Sequence, residues 1–128
     1  MATRLLKKGI GIDAFVTSTA KRAMQTATHF IRVYDRPEKE LILREELYHA
    51  PANVYFDVIR ALNDDYKTIA IFGHNPGITT FVNLLTPTTI DEMPTCGIFA
   101  VKADIKLWRE FPATDNKFLF FDSPKAGS

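Results

Sequence analysis

Apolar residues in this chain follow two rhythms: short unbroken runs, and longer stretches where they recur at helical spacing. Ile12-Asp13-Ala14-Phe15-Val16-Thr17 and Ile69-Ala70-Ile71-Phe72 are runs of the first kind, rich in the β-branched and aromatic residues of strands buried on both faces. After the first run, Ala20, Ala23, Met24, Ala27, Ile31 and Tyr34 fall on one stripe and predict a helix over 19–34, capped by Ser18 or Thr19. Pro51 opens another, with Val54, Val58, Ile59 and Leu62 on its buried side and Asn63-Asp64-Asp65 as its end. The second run passes through Gly73 and His74 to a helix carrying Ile78, Phe81, Val82, Leu84 and Leu85. Its predicted cap is Asn75, with Pro76 as first helical residue.

The remaining segments complete an alternation. Residues 2–8 read as the last turns of a helix stopped at Gly9. A polar turn over 36–39 leads to a short strand over 40–43 and a mostly loop segment over 44–49. Three strand-like runs, 96–101, 106–111 and 117–121, are joined by short turns and predict antiparallel pairing. The expected fold is an α/β three-layer sandwich: a mostly parallel central sheet, helices on both faces and an antiparallel C-terminal edge. Residues 1–122 form the expected single domain and 123–128 a flexible tail.

Composition narrows the function classes. The 128 residues are 46% apolar, enough for a real core. A net charge of +1 lacks the basic excess of a nucleic-acid binder. No apolar run has the length of a membrane span and no leader pattern is present, so a cytoplasmic protein is expected. A single cysteine excludes an internal disulfide framework and a cysteine-based metal cluster.

The pattern puts two cationic side chains just past the C-terminal ends of predicted strands: Arg22 in the first turn of one helix, and His74 before another. Right-handed crossovers bring such ends to one rim, where anions bind in open α/β sheets. A cation in the first turn opposes the helix dipole, so Arg22 either reaches solvent or faces an anion. A guanidinium fork and an imidazole donor together suit a phosphoryl group, with no metal and no cofactor. The adjacent Glu45 and Glu46 are a solvated acidic pair or, if one is buried or set beside an anion, a source of a general acid. His29 lies mid-helix and His49 reads as loop surface or site rim. Other phosphate chemistries fail by inspection: no glycine-rich run ends in Lys-Ser or Lys-Thr, and Lys102 follows Cys96 where a cysteine phosphatase loop needs arginine.

Val16-Thr17-Ser18-Thr19-Ala20-Lys21-Arg22-Ala23-Met24-Gln25-Thr26-Ala27 resembles the S-x-x-x-R-A-x-x-T-A signature of the histidine phosphatase superfamily. Gly73-His74-Asn75-Pro76-Gly77 resembles the second-histidine motif of its SixA-type phosphohistidine phosphatase branch. Leu47-Tyr48-His49-Ala50 and Met93-Pro94-Thr95-Cys96 are also similar to that branch, and no long insertion separates Arg22 from His74. The resemblance implies a phosphoglycerate mutase-like fold and metal-independent transfer through a histidine nucleophile. It makes Ser18, Arg22 and His74 phosphate-binding residues, and Glu45 or Glu46 the counterpart of the proton donor in mutase-like members. The implied partner is a phosphohistidine-containing protein or a small phosphorylated substrate.

One departure stands out. In that family the nucleophile lies in an Arg-His-Gly or Arg-His-Ala motif ending the first, central strand, and this sequence contains no Arg-His pair. The expectation is a phosphatase domain truncated at its N-terminus, or a relative that binds phosphate without turnover, or, least favoured, a domain whose nucleophile comes from another chain or from His49. Loss of a central strand would leave neighbouring edges unpaired, so dimerisation or strand exchange is expected. A phosphatase for small phosphate esters is the alternative within the same superfamily.

Overall fold

The computed structural model describes residues 1–124; most of the expected tail lies outside the described residues. The chain divides into two compact units, Met1–Tyr48 with Asp65–Gly73, and His49–Asp64 with His74–Ser128.

The first unit is built on a three-stranded parallel sheet. β1 (Ala14–Ser18) lies at its centre, β2 (Ile42–Arg44) on one side and β3 (Ile69–Phe72) on the other. Val16 faces Ile42 across one pair and Ile71 across the other. All five residues of β1 are buried, the polar Thr17 and Ser18 included, as befits the central strand of a parallel sheet. Asp13, just before it, accepts the main-chain N–H groups of Lys67 at 2.7 Å and Thr68 at 3.0 Å, pinning the start of β3. Two helices, α1 (Ala2–Lys7) and α2 (Lys21–Val33), belong to this unit. The stripe on α2 buries Ala23, Ala27 and Ile31 as predicted, together with Phe30, which meets Phe72 edge-on at 5.2 Å. Each such aromatic contributes about 1.5–3 kcal/mol through burial. Ala20, rather than Ser18 or Thr19, is the N-cap of α2, because the Ser18 Oγ turns back to accept the Ala20 N–H at 3.1 Å.

The second unit contains α3 (Ala52–Arg60), α4 (Gly77–Leu85) and an antiparallel pair, β4 (Ile98–Lys102) with β5 (Lys117–Asp122). Tyr55 stacks on Phe81 at 5.0 Å and Phe56 meets the same ring edge-on, so one phenyl group joins α3 to α4. The expected strand over 106–111 is absent. Trp108–Glu110 is a 3-10 turn instead, held by the Glu110 carboxylate, which accepts the Leu107 N–H at 3.0 Å, and by Asp64, which accepts the Trp108 N–H at 2.8 Å. Side-chain acceptors thus satisfy the amides that a ladder would have used. Arg60 secures the far end of the turn, donating to the Phe111 carbonyl at 3.0 Å while its guanidinium lies over Phe56.

β3 is hydrogen-bonded on one side only within its sheet. At the entry to the pair the Thr68 carbonyl accepts the Asp13 N–H at 2.8 Å. Among the described residues, no helix is long and apolar enough to cross a membrane.

Candidate functional site

The candidate residues divide between the two units. In the first, Ser18 ends β1 fully buried, and Arg22 lies in the first turn of α2. The Arg22 carbonyl accepts the Thr26 hydroxyl at 3.1 Å, while its guanidinium is exposed and meets no acceptor among the described residues. No acidic residue stands in that first turn, so the Arg22 charge is not neutralised locally. Glu45 and Glu46 open a 3-10 turn over Glu45–Leu47, anchored by the fully buried Leu47, and both carboxylates are exposed. His29 is exposed on α2, beside a shallow groove lined by Met24, Gln25, Thr28 and Arg32.

In the second unit His74 meets a residue that the pattern left on the rim. Its Nε2 stands 3.3 Å from Nδ1 of His49, and the two rings are perpendicular with centroids 5.0 Å apart. His49 has φ 51°, in the left-handed region that His enters more readily than most residues. The following Ala50 carbonyl approaches α4 so closely that a Cβ at Gly77 would lie 2.0 Å from its oxygen. Glycine is therefore required at 77, at the very start of the helix. Tyr55, fully buried, interacts with the His74 main chain. Burial pushes its phenol above the ordinary 10.0, with the His74 backbone hydrogen bond pulling the other way.

Helix α4 starts later than predicted. Pro76, after a cis Asn75–Pro76 bond, is the N-cap, and the first helical residue is Gly77. The Asn75 side chain does not cap the helix. Its Oδ1 accepts the Thr79 hydroxyl at 2.5 Å and its Nδ2 donates to the Met93 carbonyl at 2.9 Å and to Glu92 at 3.2 Å. Thr79 Oγ1 in turn accepts the Met93 N–H at 2.8 Å. Asn75 and Thr79 thus bind the segment around Met93 immediately beside His74. Cys96, at φ 59°, closes that segment as an exposed free thiol.

Sequence pattern missed the partnership of His49 with His74, the close approach at Gly77 and the bracing by Tyr55. The L-Y-H-A similarity was the one signal that pointed toward His49. The pair offers two imidazole nitrogens, and among the described residues no three His, Cys, Asp or Glu side chains gather as a metal site.

No family model and no curated protein matches the sequence. Solved structures do. A crystal structure described as the phosphohistidine phosphatase SixA from Agrobacterium tumefaciens superposes with TM-score 0.73 at 19% identity, covering 96% of this chain and 77% of that one. The protein histidine phosphatase SixA complexed with tungstate superposes with TM-score 0.81 at 21% identity, covering 99% of this chain and 78% of that one. The fold of this chain is that of the SixA-type protein histidine phosphatases.

Proposed function

We propose that this chain is the phosphate-gripping part of a SixA-like phosphohistidine phosphatase. The observation that carries the reading is that both family-like motifs follow neighbouring parallel strands of a SixA-type fold. Thr17 lies opposite Phe72, so the chain leaves β1 toward Arg22 and β3 toward His74 from one rim of the sheet. The similar SixA structure that holds tungstate, a tetrahedral oxyanion like phosphate, supports the same assignment.

In this reading Arg22 binds two equatorial oxygens of the phosphoryl group and His74 donates to a third, offsetting charge as the group moves in line. Ser18 supports the loop that carries Arg22. Glu45 or Glu46 supplies the proton that lets the imidazole leave when the P–N bond breaks. No metal is needed, since guanidinium and imidazole provide the charge. The substrate is a phosphohistidine-containing protein in the cytoplasm, with small phosphate esters as the lesser candidates. These 128 residues contain no Arg-His pair, so in this reading the family's nucleophile motif is missing from the chain. The same observation favours a second reading, a relative that binds phosphoprotein without turnover. The unpaired side of β3 is covered by a second copy or by an exchanged strand.

The test is thermal unfolding of the purified chain with inorganic phosphate and with tungstate. Stabilisation that is lost in Arg22→Ala and in His74→Ala is the expected result, and an unchanged midpoint in both anions overturns the reading. Incubation with phosphoramidate separates the two forms: a phosphoenzyme formed by this chain would show that it carries its own nucleophile.

A further inference from the structure

His74 has a neighbour that the phosphatase reading does not use. The contact between His74 Nε2 and His49 Nδ1 is 3.3 Å, and the perpendicular rings meet through nitrogens rather than by stacking. Two imidazoles this close hydrogen-bond only if one nitrogen carries a proton and the other presents a lone pair. His49 is exposed, and an exposed neutral imidazole prefers its proton on Nε2, which leaves Nδ1 bare. The donor is then His74 Nε2.

We infer that His49 is the positioning residue of His74, its Nδ1 accepting the Nε2–H and so fixing the proton on Nε2 rather than on the buried Nδ1. This deepens the proposed function, on which it rests for its purpose. An oxyanion only accepts hydrogen bonds, so His74 can grip one only through a nitrogen that carries a proton. His49 keeps that proton on Nε2 until an arriving oxyanion replaces it as the acceptor, so the tautomer is selected in advance.

The backbone holds each ring independently, which separates this pair from a chance meeting of surface side chains. His49 is kept at φ 51° by the Ala50 carbonyl seated against Gly77. His74 is braced through its main chain by Tyr55, whose ring stacks on Phe81 at an interplanar angle of 17°. Asn75, next to His74, is tied to Thr79 and Met93. The rings are therefore presented to each other by parts of the fold that neither ring stabilises. His49 also sits in the left-handed region, where most residue types are disfavoured, and His is among those that tolerate it.

The experiment is nitrogen NMR on the ligand-free 128-residue chain with labelled histidines, at about pH 8, where an ordinary imidazole is neutral. Imidazole nitrogen shifts identify the protonated atom, and coupling through the hydrogen bond identifies its acceptor. The expected result is a His74 proton on Nε2, coupled to His49 Nδ1. In His49→Ala the coupling disappears and His74 becomes a mixture of both tautomers. In His49→Asn, whose Oδ1 takes the place of Nδ1, the Nε2–H form returns. A His74 proton on Nδ1 in the unaltered chain, or a tautomer unmoved by His49→Ala, overturns the inference. Because no anion is present, failure of phosphate to raise the unfolding midpoint would sink the phosphatase reading without altering this outcome.

Discussion

The Ala50 carbonyl oxygen occupies the space where a side chain on Gly77 would begin, 2.0 Å from an ideal Cβ. This contact sets the position of the residue before it, His49, and hence its distance from His74. In Gly77→Ala either α4 or the 49–50 segment has to move. The expected cost is about 1–3 kcal/mol, the usual range for overpacking a tight contact. Urea unfolding measures it, and the imidazole resonances of both histidines should shift together. An unchanged midpoint would mean that the approach is looser than described.

Asn75→Ala removes both hydrogen-bond donation to Met93 and acceptance from Thr79. We expect a loss of about 1–2 kcal/mol. Hydrogen exchange at the Met93 amide should quicken, since its acceptor, Thr79 Oγ1, is itself oriented by Asn75. Protection equal to that of the unaltered chain would show that Thr79 holds the segment alone.

Asp13 ties the entry of β1 to the entry of β3. The Thr68 and then the Lys67 backbone N–H groups hold its carboxyl below the ordinary 3.8, against an opposing effect of burial and with lesser help from the Arg36 and Lys67 charges. A carboxyl lowered in the folded state stabilises above its unfolded value, and that contribution fades as pH falls through the folded value. Asp13→Asn should therefore cost about 0.5–1 kcal/mol at neutral pH, a modest figure because the group is exposed. Below pH 3.8 the difference between the two proteins should close. Parallel stability curves down to low acid would contradict the assignment.

The opposite sign applies to Tyr55. Burial raises its phenol above 10.0, the neutral form being favoured in the fold. That contribution is complete below 10.0 and is lost as pH rises through the folded value. Tyr55→Phe should cost about 1 kcal/mol at neutral pH, from the lost hydrogen bond with the His74 main chain, and should show a shallower alkaline decline. Chemical denaturation at a series of alkaline pH values measures both.

How much of this was readable without coordinates depended on the range of the interaction. The runs that became β1 and β3 and the stripe on α2 are local patterns that formed the elements periodicity put there, although β3, read as buried on both faces, is only half-buried. Residues 106–111 did not, because the deciding acceptor, Asp64, is remote in sequence and no alternation of Trp108, Arg109, Glu110 and Phe111 reveals it. Asn75 had the chemistry of a helix cap yet spends it on Met93, a choice set by a loop well downstream. The placement of Arg22 and His74 just past the ends of β1 and β3 was legible in the pattern, whereas the place of His49 beside His74 depends on a carbonyl of the next residue and a glycine in another element.

The border of the parallel sheet has a practical consequence. Among the described residues, the all-apolar β3 has a strand neighbour on one side, and such an edge is a template for extended polypeptide. Yield, solubility and self-association of any preparation should therefore track whether a suitable extended segment is supplied, and a peptide added in trans becomes a handle for tuning all three.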